Sequence, residues 1–125
     1  MKIWGRGIDI ETLHGVKEAI KPGIRIAADP NRSLTSRDTL FLSQRRRDIS
    51  FVLEQPCNSM EEIAAVRNQL CHPVYMAKLA EDVNSVLRAN STGLVDGFSM
   101  KLTRVGGIAD HAGYLRCAQP AAYMR

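Results

Sequence analysis

The sequence predicts an α/β fold of repeated strand–helix units with parallel strands, and two observations carry that prediction. Charged residues close several short apolar runs on a regular beat. Lys2, Asp29 in IRIAADPN, Glu54 in ISFVLEQPC and Lys101 in FSMKLTRVGG are separated by 27, 25 and 47 residues, and a run ending at Tyr75-Met76-Ala77 divides the longest interval into 23 and 24. Between the runs, apolar residues recur with a helical period. Units of this length build parallel sheets or barrels, in which the residues at the C-terminal strand ends converge on one site.

The elements follow in order. Ile3-Trp4 is the first apolar run, and a helix is expected from about Asp9, with Leu13, Val16 and Ile20 on one face until Pro22-Gly23 stops it. Ile24 to Ala28 forms the second run, and Ser36 to about Arg46 reads as a helix with Ser36 as its N-cap. Ile49 to Leu53 is almost wholly apolar, as expected of a strand covered on both faces. Ser59 and Glu62 have capping-box spacing ahead of the stripe Ile63, Val66 and Leu70. Val74 to Ala77 is the fourth run, followed by a stripe of Val83, Val86 and Leu87. Phe98 to Leu102 is the fifth, leading through Gly106-Gly107 to a weak helix around Ala109 to Cys117. About five β/α units result. With no linker or low-complexity tract, residues 1–125 are expected to form a single domain.

Composition narrows the class further. At 125 residues, 45% hydrophobic and 24% charged, the chain has the make-up of one soluble globular domain. No apolar run approaches the ~20 residues needed to span a bilayer, and the N-terminus lacks the apolar stretch of a signal peptide, so the expected location is the cytoplasm, without membrane partners. Cys57, Cys71 and Cys117 show no CxxC pairing and read as reduced thiols. The net charge of +4 draws on Arg45-Arg46-Arg47, which lacks interleaved aromatics and reads as a solvated helix end rather than a nucleic-acid surface. His14, His72 and His111 have no ligand spacing and read as surface or loop residues. Gly5-Arg6-Gly7 lacks the third glycine of a phosphate-binding fingerprint.

The charged strand ends carry chemistry. Lys101 within an apolar run is costly to bury without a purpose, which points to function. Together, Lys2 in KIWG, Asp29-Pro30-Asn31, Glu54-Gln55-Pro56 and Lys101-Leu102-Thr103-Arg104-Val105-Gly106-Gly107 resemble, in order and spacing, the D-x-N, E-Q-P and K-x-x-R-x-G-G motifs of the enolase superfamily. The resemblance is to the C-terminal barrel domain of the mandelate racemase and muconate lactonizing enzyme group, closest to the hydroxyproline dehydratase type, and covers roughly the first 108 residues.

That resemblance implies a segment of a (β/α)8 TIM barrel and a Mg²⁺-dependent removal of the proton α to the carboxylate of a small substrate. A divalent cation neutralises the enolate as it forms while a lysine moves the proton. Carried over, Asp29 and Glu54 become metal ligands, Asn31 a polar group beside the metal, and Lys101 and Lys2 acid/base groups on opposite faces of the substrate. Arg104 reads as the partner of an interior carboxylate.

Two departures accompany the resemblance. Met76-Ala77-Lys78 stands where the family carries the acidic residues that complete the metal site, so Mg²⁺ binding is expected to be weak or absent. An eight-unit barrel needs at least ~200 residues, so the sequence reads as truncated, with activity impaired. The competing reading is a non-catalytic remnant that self-associates into a homo-oligomer through unpaired strand edges.

Overall fold

The structure, a computed structural model, describes residues 7–101 together with Gly113 and Arg116. Helices and strands alternate: α1 (Gly7–Ala19), β1 (Ile26–Ala28), α2 (Ser36–Arg45), β2 (Phe51–Glu54), α3 (Met60–Val66), β3 (Val74–Met76), α4 (Val83–Ser91) and β4 (Gly97–Phe98), with a 3-10 turn at Arg67–Gln69 after α3. The strands form one parallel sheet in the order β1-β2-β3-β4. The expected α/β architecture of parallel strands is therefore present, with four of the five runs as strands. The first run, Ile3-Trp4, lies outside the described residues, as does nearly all of the expected last helix.

Sequential strand order has a geometric consequence. Parallel crossovers are right-handed, so a sheet that grows in one direction places every connecting helix on the same face. Ile26, Ala28, Phe51, Leu53, Val74 and Met76 point to that face and are buried, joined by Leu13, Leu42, Ile63 and Val86 from the helices. The alternate positions Ala27, Val52 and Tyr75 face the other way and are exposed or half-buried. Tyr75 lies opposite Gly97, and its ring fills the space a side chain at Gly97 would need, 2.9 Å from a Cβ built there.

Local chemistry explains most boundaries and corrects four expectations. The N-cap of α2 is Thr35, not Ser36: Thr35 Oγ1 accepts from the Asp38 N–H while Asp38 bonds back to the Thr35 N–H. Ser36 instead donates its hydroxyl to Glu62 O at 2.8 Å, tying α2 to α3. The Ser59/Glu62 capping box starts α3 as expected. In α4 the buried face is Val86 and Ala89, whereas Leu87 is exposed, because residues 86 and 89 are one turn apart and 87 is rotated away. Of the fifth run only Phe98 is in a strand, which begins one residue earlier at Gly97; Lys101 lies beyond it and is exposed, so the cost of burial is not what selects a lysine there. At the opposite strand ends, Asp96 fixes the register of β3 against β4, accepting the Val74 N–H at 2.7 Å and an Arg67 Nη2 contact at 2.7 Å.

His72 is the fourth correction: it sits in a loop but is buried. Its ring stacks on Phe51 with centroids 3.8 Å apart. Nε2 donates to Ile49 O at 2.8 Å, which leaves Nδ1 to accept from Ser43 Oγ at 2.9 Å, and Ser43 Oγ in turn accepts the Cys71 N–H. Burial pushes the His72 pKa below its ordinary value. The unfolded chain therefore takes up a proton that the fold resists. The resulting stability is fully present above the unfolded value of about 6.5 and is lost as pH falls below it. Urea unfolding midpoints are expected to fall between pH 7.5 and about 5.5, and to fall less in His72→Gln. An equal fall in both proteins contradicts this account.

Among the described residues no helix is long and apolar enough to cross a membrane.

Candidate active site at the C-terminal strand ends

Strand parity assembles the site. Asp29 is two residues beyond Ala27, Glu54 two beyond Val52, Ala77 two beyond Tyr75 and Ser99 two beyond Gly97, so all four continue the face turned away from the helices. The structure places Asp29, Glu54, Ala77, Lys78, Ser99 and Lys101 around one pocket with a free volume of about 30 Å³. That is room for little more than one or two water molecules.

The loops after the strands hold these residues in place. Asp29 is half-buried, and its Oδ1 accepts the Asn31 N–H at 2.8 Å, closing a turn in which Asn31 and Arg32 take φ of 55° and 69°. The Arg32 N–H then donates to Gln55 O at 3.0 Å, and the Leu34 N–H to Pro56 O at 3.1 Å. The segment after Asp29 is thereby fastened to the segment after Glu54. Asn31 itself is exposed and does not line the pocket.

Gln55 does the same for the next loop. It is 1% exposed and left-handed at φ 46°. Its Oε1 accepts from the Ala77 N–H at 3.0 Å and the Leu79 N–H at 3.1 Å, while Nε2 donates to Cys57 O at 3.2 Å. One side chain thus grips the backbone on either side of Lys78. Past β4, the Ser99 N–H donates to Met76 O at 2.8 Å and keeps the chain beside β3 one residue beyond the strand.

Asp29, Glu54 and Lys101 are brought together; Lys2 and Arg104 lie outside the described residues. The positioning role of Gln55 had no signal in composition or period, although E-Q-P marked the position. A larger cleft, about 480 Å³, opens at the opposite strand ends between Lys17, Arg25 and Asp96, but it gathers a single carboxylate.

The pocket's donor set bears directly on a metal. Mg²⁺ takes hard oxygen ligands in near-octahedral geometry. Here two carboxylates share the pocket with two lysines, and Ala77 offers no oxygen from its side chain. Among the described residues no group of three His, Cys, Asp or Glu side chains is placed to hold a metal ion. These residues do not fit a resident Mg²⁺.

Comparison with known proteins agrees with the fold. The family described as "Enolase C-terminal domain-like" matches residues 1–122. The chain is similar to cis-3-hydroxy-L-proline dehydratase of Roseibium aggregatum, 23% identical over 100 residues, covering 80% of this chain and 27% of that protein. A crystal structure from Silicibacter pomeroyi, assigned to the mandelate racemase/muconate lactonizing enzyme group, superposes with a TM-score of 0.90 at 29% identity, covering 97% of this chain and 34% of the other. Another of that group, from Roseovarius nubinhibens ISM and complexed with magnesium, gives a TM-score of 0.84 at 26% identity, covering 90% of this chain and 31% of the other. The chain therefore spans about a third or less of the length of these relatives. Its parallel β/α units are a segment of their barrel, and the chain belongs to the enolase C-terminal domain-like family.

Proposed function

We propose that the pocket at the C-terminal strand ends removes the proton α to the carboxylate of a small substrate, with Lys101 as the base. The observation that carries this reading is the meeting of Asp29, Glu54 and Lys101, distant in sequence, in one pocket of a chain of this family. The neutral amine of Lys101 takes the α-proton, the C–H bonding pair passes into the carboxylate, and an ammonium and an enolate result. Return of a proton to either face gives racemisation; loss of a β-substituent gives dehydration. Lys2 is the acid/base proposed for the opposite face.

With no ion between them and the enolate, the carboxylates of Asp29 and Glu54 oppose its charge, and the loop bonds through Gln55 hold the pocket's backbone in place. In relatives that bind magnesium, the ion supplies Lewis-acid stabilisation of the enolate. The residues of this pocket do not fit that ion. We therefore expect proton exchange at a reduced rate rather than efficient net turnover.

Exchange is measurable without turnover. The full chain is incubated in D₂O with cis-3-hydroxy-L-proline and a panel of α-amino and α-hydroxy acids, and deuterium at the α-carbon is followed by NMR. Protein-dependent deuterium incorporation into at least one substrate is expected. None across the panel overturns the proposal.

A further inference from the structure

We propose that Lys78 is a cation built into the Asp29/Glu54 pocket, supplying there the positive charge that a divalent ion would otherwise bring, so that this site handles a small carboxylate without Mg²⁺. The inference rests on the reading of the pocket given above and says what balances its charge.

Position comes first. Lys78 is half-buried and lines the pocket together with Asp29 and Glu54. A surface lysine on a free loop would carry little meaning, but the backbone that carries this one is pinned. Gln55 Oε1 accepts the N–H groups of Ala77 and Leu79, the residues on either side of it, and the Ala80 N–H closes the turn on Ala77 O at 3.3 Å. Gln55 directly follows Glu54, so the backbone that carries the acid also fixes the backbone that carries the lysine.

Charge comes second. With Lys101 as the neutral base of the proposed reaction, Asp29 and Glu54 contribute two negative charges and Lys78 the positive one that offsets part of them. A dication entering the pocket meets the Lys78 side chain and only two carboxylates, with Ala77 supplying no third. An ammonium group offers three donors and a full charge, suited to holding a carboxylate and offsetting the second charge that grows as an enolate forms.

The test reads the ion, not the reaction. Mg²⁺ is titrated calorimetrically at neutral pH into the full chain, Lys78→Gln and Lys78→Glu, with thermal unfolding as a check on folding. The parent is expected to show no saturable binding up to about 10 mM. Lys78→Glu, which sets a third carboxylate beside the pair, is expected to bind at least about tenfold more tightly. Lys78→Gln, which removes the charge and shortens the side chain, is expected to gain about threefold. Saturable binding by the parent below about 10 mM overturns the proposal, as does the absence of any gain in Lys78→Gln. If Lys78→Glu fails to fold, the Lys78→Gln comparison decides. Deuterium incorporation by the parent is expected to be unaffected by EDTA. Its abolition by EDTA overturns this inference while leaving the proton-exchange reading in place.

Discussion

Gln55→Leu is expected to lower the unfolding free energy by about 3 kcal/mol, a large fraction of the stability of a domain this size. The reason is what the amide leaves behind. Removing it strips the Ala77 N–H, the Leu79 N–H and the Cys57 carbonyl of their partners in a site where the side chain itself is 1% exposed. Each buried backbone group left unpaired costs about 1–3 kcal/mol, and the part-buried location of the two N–H groups places the sum near the lower end. Leucine is of similar size, so the loss is not one of volume, and the apolar gain offsets only part of it. Urea unfolding of the full chain measures the total. Amide hydrogen exchange adds a local signature, because Ala77 and Leu79 are expected to lose protection beyond the global change. A loss below about 0.5 kcal/mol with unchanged protection contradicts the role assigned to Gln55.

The residue matters beyond stability because it joins two successive strand ends. The turn after Asp29 is tied to Gln55 and Pro56 through their carbonyls, and the turn holding Lys78 is tied to the Gln55 side chain. Loosening that junction is therefore expected to disperse the charged residues of the pocket.

Much of the fold was legible in the sequence because a β/α repeat writes two periods into it. The runs at Ile24 to Ala28, Ile49 to Leu53 and Val74 to Ala77 all contain strands, and the capping box at Ser59 and Glu62 is where spacing put it. The convergence of Asp29, Glu54 and Lys101 was legible for a related reason: parallel strands of equal spacing bring their C-terminal ends to one rim. Three features were not legible. Whether Thr35 or Ser36 caps α2 depends on which residue is extended, and adjacent hydroxyl residues look alike in sequence. The burial of His72 depends on Ser43 and Ile49, contributed by other segments. The end of β4 at Phe98 reflects pairing with Met76, the last residue of β3, and not any change in the apolar run.

The central claim is that Lys101 moves the α-proton of a carboxylate at the rim of this sheet, and it is tested most directly by comparing the parent with Lys101→Met in the deuterium incorporation assay. Lys101 is exposed and lies beyond the last strand, so the substitution is expected to change stability by less than about 0.5 kcal/mol. A positioned general base contributes about 10²–10⁴-fold, so incorporation is expected to fall by at least about 100-fold in a variant that unfolds like the parent. Methionine retains the length and apolar character of the stem and removes only the amine. Incorporation by Lys101→Met at the parent's rate would contradict the claim.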